Sequence, residues 1–96
     1  MKKRKTITIE VTRDLILEGK QGNTTRCPVA LALLRQLPNA AGVAFVNRFT
    51  LEWGPQFRVR TPTKVREFIV AYDRGDIVGV KPFSFRVNPW ATWGTD

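Results

Sequence analysis

The chain has 96 residues, 43% of them hydrophobic, 10% aromatic and 25% charged, with one cysteine and no histidine. A chain of this length supports one hydrophobic core, and the balance excludes a low-complexity or disordered protein. A single cysteine excludes an internal disulfide. The absence of imidazole removes the ligands that zinc and most transition metals prefer, and the base that activates a thiol nucleophile.

Sixteen Lys and Arg against eight Asp and Glu give a formal charge of +8, and half of that excess sits in Lys2, Lys3, Arg4 and Lys5. The chain reads as a mildly positive body with a strongly positive tip, a pattern that attracts polyanions and also favours solubility. Its longest apolar stretch, residues 28–34, is far shorter than the ~20 residues that cross a bilayer. The opening "MKKRKTITIEV" alternates Thr with Ile and so lacks the continuous apolar segment of a secretion signal. The expected location is cytoplasmic, with no membrane partner.

Residues 6–12 alternate strictly, with Ile7, Ile9 and Val11 on one side and Thr6, Thr8, Glu10 and Thr12 on the other, the period of a half-buried strand. Thr12 then caps a short helix, "RDLILEG", in which Asp14 sits in the positive first turn and Gly19 takes the left-handed stop position. Leu15 and Ile16 pack inward. "KQGNTTR" is a loop by its glycine, asparagine and threonines. Cys27 and Pro28 open a second helix, because proline lacks an N–H that the first turn leaves unpaired in any case. Its run "VALALLRQL" is apolar nearly all round and predicts the most buried helix, ended by Pro38 and Asn39.

"GVAFVNRFTLEWG" is β-rich, and its alternation places Val43, Phe45, Phe49, Leu51 and Trp53 on one set, interrupted at Asn47. Ala44, Val46, Arg48, Thr50 and Glu52 form the other. Gly54 and Pro55 make a turn, after which "QFRVRT" returns with Phe57 and Val59 inward and Arg58 and Arg60 outward, completing an antiparallel hairpin. Thr61 and Pro62 repeat the device of a cap followed by proline. The helix they open carries Val65, Phe68, Ile69 and Tyr72 on one apolar face, with Lys64, Arg66, Glu67 and Asp73 on the wet face and Gly75 as its stop. "VKPFSFRV" supplies a last strand with Phe83 and Phe85 on one side.

The expected fold is therefore a single α+β domain in the order β-α-α-β-β-α-β, with a mainly antiparallel sheet and helices packed on one face. A basic, flexible N-terminus spans residues 1–5, the domain residues 6–88, and a tail holding Trp90 and Trp93 residues 89–96.

Two segments, "LEGKQGNTTRCPVALAL" and "TPTKVREFIVAYDRGDIVGVKPFSF", carry Gly19, Cys27, Pro28, Ala30, Leu31, Ala32 and Leu33, then Val65, Arg66, Phe68, Ile69, Tyr72, Asp73, Gly75, Pro82, Phe83 and Phe85. In these positions the chain resembles a family of small, functionally uncharacterised phage and bacterial proteins with a G-loop-C-P-[VI]-A-L-A-L segment and a V-R-x-F-I-x-x-[FY]-D-x-G helix before P-F-x-F. The resemblance implies a phage or prophage setting, hence the host cytoplasm, and no particular chemistry. The basic start and the tryptophan-bearing end fit the family pattern less well.

Among residues that carry chemistry, Cys27 stands at a helix N-terminus, where unpaired amides favour thiolate. Without a neighbouring base it has little of a catalytic thiol's rate advantage, so a small residue packed at the helix start is the favoured reading. Asp73 and Asp76 flank a helix-ending glycine as solvated residues. A basic arm of Lys2, Lys3, Arg4 and Lys5 with Arg48, Arg58 and Arg60 on one sheet face suits nucleic acid or an acidic partner, and equally suits a sheet face kept soluble by its charges. Trp90 and Trp93 read first as folding back over the sheet to complete the core and second as partner-binding aromatics, with base stacking also open to them. The expected protein is non-enzymatic and needs no cofactor or metal. The first expectation is a phage accessory protein that binds and blocks a host protein or protein–nucleic-acid complex, a CRISPR-type defence complex being one such target. The alternative is direct binding of DNA or RNA.

Overall fold

The alternating residues that open the chain form β1 (Ile7–Val11), in a computed structural model that describes residues 6–91. β1 pairs antiparallel with β5 (Phe83–Val87), placing Ile7 opposite Val87, Ile9 opposite Phe85 and Val11 opposite Phe83. Both strands thus turn their apolar sets to one side, and their pairing brings the two ends of the described chain together. The Gln36 side chain bonds both ways to Glu10 on β1, its amide donating to the Glu10 carbonyl and its oxygen accepting from the Glu10 N–H, each at 2.8 Å. A side chain thereby satisfies the strand there in place of a further strand.

Helix α1 (Arg13–Glu18) begins as expected, with the Leu15 N–H donating to Thr12 Oγ1 at 3.3 Å. Its end differs from expectation. Gly19 is extended (φ −69°, ψ 169°), not left-handed. Glycine is required there by space, because a Cβ would lie 2.6 Å from Cδ of Pro28. That close approach lets the end of α1 abut the start of α2 (Pro28–Gln36), whose residues from Pro28 through Leu33 are all buried. α2 packs against α1, β1 and β2, so it joins both sheets of the molecule. A two-pronged ion pair from Arg35 to Glu18 spans the exposed side of the α1–α2 pair.

The β-rich centre is three strands, β2 (Ala44–Val46), β3 (Thr50–Trp53) and β4 (Phe57–Arg60), in an antiparallel sheet of that order. The α+β class and the antiparallel pairing agree with the sequence. The long strand expected over residues 43–53 instead folds back on itself at Asn47, giving eight elements in place of seven and dividing the sheet in two. The reversal also corrects which residues face inward. Ala44 lies opposite Trp53 and Val46 opposite Leu51, so these four share the buried face. Val43, Phe45 and Phe49, which the alternation places on one set with Leu51 and Trp53, are instead exposed. The two-residue loop pairs each even-numbered position of β2 with an odd-numbered one of β3, which inverts the pleat across the turn.

Trp53 is fully buried and donates its indole N–H to the Pro89 carbonyl at 2.9 Å, an acceptor shared with the Asn39 amide at 2.8 Å. The Arg58 N–H donates to the Ala91 carbonyl, so residues 89–91 run along the outer edge of β4. Helix α3 (Thr63–Asp73) then turns Val65, Phe68, Ile69 and Tyr72 into the core. The Phe68 ring stacks on Tyr72 and tilts against Phe83 of β5. The Tyr72 hydroxyl donates to the Ile16 carbonyl at 3.0 Å, tying α3 to α1. Thr61 does not cap this helix as expected, because Pro62 holds the cap position and the Thr61 hydroxyl donates to the Asn47 carbonyl. Gly75 ends the helix with φ 98°, as its sequence position predicts. Among the described residues no helix is long and apolar enough to cross a membrane.

The contact of Gly19 with Pro28 generates a direct test. Gly19→Ala is expected to lower stability by about 1–3 kcal/mol, the usual cost of overpacking, although the backbone there suits any residue. A urea midpoint equal to that of the unsubstituted chain would show that α1 and α2 do not meet this closely.

A candidate anion-binding cleft

Cys27 is buried at the cap position of α2 and makes no side-chain cap bond. Burial pushes its thiol above the ordinary range, outweighing the backbone N–H groups of Ala30 and Val29 that favour thiolate, and the Asp73 carboxylate pushes the same way. Burial likewise raises the Tyr72 phenol. Helix-end activation is thus defeated by desolvation, which acts against the charged form of a buried thiol. A cavity of about 130 Å³ beside Cys27 is lined by Asn23, Asp73 and Arg48 among others. Among the described residues no group of three or more His, Cys, Asp or Glu side chains could hold a metal ion.

The basic residues singled out from sequence separate into three places. Lys2, Lys3, Arg4 and Lys5 lie outside the described residues, as does Trp93. Arg58 and Arg60 project from the outer face of β4, opposite Glu52 and Thr50 of β3 respectively. Arg48 stands apart from them, because it occupies the two-residue loop between β2 and β3 and not a neighbouring strand position.

That loop is held by Asn47. Its Oδ1 accepts the N–H groups of Phe49 at 2.8 Å and Thr50 at 2.9 Å, while the Asn47 N–H donates to the Thr50 carbonyl. An asparagine side chain closing a turn on the N–H two residues on is the device that makes this residue a turn former. The loop is also moored to the lead-in of α3, since Thr61 bonds to both the Asn47 and the Phe49 carbonyls. Arg48 and Phe49 are therefore presented toward α3 on a backbone bonded at Asn47 and on both sides of Phe49.

Between this loop and α3 lies a cleft of about 480 Å³ lined by Arg48, Phe49, Arg66, Glu67, Val70 and Arg74. Arg66, Val70 and Arg74 recur every four residues, so they form one row along the helix, and eight residues at 1.5 Å each carry that row about 12 Å. Phe49 is 74% exposed. Among the described residues the guanidinium groups of Arg48, Arg66 and Arg74 make no hydrogen bond or ion pair. Three unpaired cations thus face one carboxylate, Glu67, around an aromatic ring. Such an arrangement attracts anions.

Trp90 is 59% exposed and leans edge-on against Phe57, with ring centroids 5.6 Å apart. Its neighbours Pro89 and Ala91 are buried, so the backbone of this segment belongs to the core while the indole stands outside it. Residues 66 and 74 and the Phe49 ring went unassigned to any site in the sequence. The four-residue spacing of Arg66, Val70 and Arg74 was the available signal. The reversal at Asn47, which is not a local signal, brings Phe49 to them. No family model matches the chain, nor does any curated protein or solved structure.

The raised thiol and phenol fix the sign of an alkaline effect. The folded chain keeps protons that the unfolded chain releases once pH passes the ordinary thiol range, so stability falls as pH rises from about 8 to about 10.5. Urea midpoints measured across that window should decline. Cys27→Ala should remove the earlier part of the decline, and alkylation of the native thiol should be slower than that of the urea-unfolded chain.

Proposed function

We propose that this protein is a non-catalytic binding protein that holds the sugar-phosphate backbone of a nucleic acid. The observation that carries this reading is the cleft lined by Arg48, Arg66 and Arg74, whose guanidinium groups have no partner among the described residues. Planar guanidinium groups match phosphate oxygens in pairs, and neutralising phosphates releases condensed counterions, so affinity arises without a deep pocket. Arg58 and Arg60 extend the basic surface along β4, whose far end meets the cleft through the bond from Thr61 to Phe49. The basic arm of Lys2, Lys3, Arg4 and Lys5 adds charge of the same sign. In the phage setting suggested by motif resemblance, such a protein acts by covering a nucleic acid that a host complex handles.

A second reading, a blocker of a host protein, draws on a different face. Val43 and Phe45 stand exposed beside a groove of about 380 Å³ walled by Leu31 and Leu34. Arg26 and Thr25 complete the lining of this groove, which has one cation where the cleft has three, and Phe45→Glu separates the two readings because Phe45 lies outside the cleft. Capture of a host protein that survives nuclease treatment and is lost in Phe45→Glu supports the second.

Fluorescence anisotropy with labelled oligonucleotides tests the first. Affinity should fall steeply with salt, and the Arg66→Ala/Arg74→Ala double variant should weaken binding and flatten the salt slope by about 1.4, or about 0.7 per lost phosphate contact on a single strand. Glu67→Gln should strengthen binding, since it removes the one acid of the cleft. No binding of single or double strands at low salt by the unsubstituted chain would reject the reading.

A further inference from the structure

We propose that Phe49 is a base-stacking platform, and that the cleft accordingly takes single-stranded nucleic acid in preference to duplex. This inference rests on the nucleic-acid reading and narrows it to a substrate class. Phe49 is the more exposed of the two phenylalanines left outside the core near the β2–β3 turn. Its surroundings differ from those of the other exposed aromatic residues. Phe45 adjoins a groove walled by leucines, and Trp90 rests on Phe57. Phe49 shares its cleft with three guanidinium groups, one carboxylate, Glu67, and the single aliphatic side chain Val70.

The backbone that carries the ring is pinned on both sides. Its N–H donates to Asn47 Oδ1 and its carbonyl accepts from the Thr61 N–H. A ring held this way loses little backbone freedom on binding, which is the condition under which an exposed aromatic contributes affinity. Stacking on an aromatic ring is available to any base with a free face, and phosphates on either side of that base would meet Arg66 and Arg74 along the helix row. In a duplex each base face is already covered by its neighbour. A duplex can therefore use the cations of this cleft but not its ring.

The test uses the full chain, a fluorescent oligothymidylate of about 12 nucleotides, a duplex of the same length, and an abasic strand of the same charge. Phe49→Ala should weaken single-strand binding roughly tenfold to a hundredfold, leave the salt slope unchanged because the ring neutralises no phosphate, and leave duplex binding unaltered. Phe49→Trp should restore the affinity. The unsubstituted chain should bind the abasic strand about as weakly as Phe49→Ala binds the oligothymidylate. The ring is largely in solvent, so equal urea midpoints for Phe49→Ala and the unsubstituted chain verify that the fold is retained. Equal single-strand affinities for those two proteins, alongside a loss in Arg66→Ala/Arg74→Ala, would overturn stacking while leaving the nucleic-acid reading standing. Failure of the unsubstituted chain to bind either oligonucleotide, or displacement by polyglutamate as effective as by polyuridylate, would overturn the nucleic-acid reading itself and stacking with it.

Discussion

The reversal of the chain at Asn47 governs both halves of this structure. One carboxamide oxygen accepts two successive backbone N–H groups, and the hairpin it closes has only Arg48 and Phe49 as its connection. Everything downstream follows from that geometry. The three-stranded sheet exists because the chain turns there, the inward set of β2 is Ala44 and Val46 because the loop has two residues, and the loop side chains are thrown toward α3. The hydroxyl and N–H of Thr61 complete the arrangement by fastening the turn to the start of that helix.

The sequence uses its apolar residues unevenly around this turn. Leu51 and Trp53 are wholly buried, and the single polar atom of the tryptophan ring is satisfied by the Pro89 carbonyl, so the largest side chain of the core is held in place by packing and by one hydrogen bond. Two residues before Leu51, Phe49 is left in water beside cations. An isolated exposed aromatic is unremarkable on a protein surface, but one fixed by bonds on both sides of its backbone in a cleft that three guanidinium groups also line is a preorganised surface of defined chemistry. The core supplies rigidity and the turn converts that rigidity into placement.

The electrostatics of the thiol and of the cleft differ in kind. The chain's one thiol is desolvated and pushed toward its neutral form, and the chain has no imidazole to take up a proton from it. The cations that converge beside α3 are arginines, whose charge does not titrate in the physiological range. Their attraction for phosphate is therefore a constant of the surface and depends on ionic strength far more than on pH.

The sequence alone determined the local elements whose signals lie within a few residues: the alternation of β1, the Thr12 cap, the proline start and all-round apolarity of α2, the apolar face of α3 and its glycine stop. Each rests on backbone geometry or on a period that neighbours in the chain define. Tertiary structure decided what depends on pairing. Asn47 was visible as an interruption, yet whether a strand bends or reverses there is settled by the partner positions of Leu51 and Trp53 and by the Thr61 bonds, none of which is local. The same holds for Gly19, where the governing contact is a proline nine residues on. The cleft was legible only as fragments, Arg48 in one segment and an arginine row in another, because an ionic surface has no period of its own and is assembled by whichever strands and helices the core brings side by side.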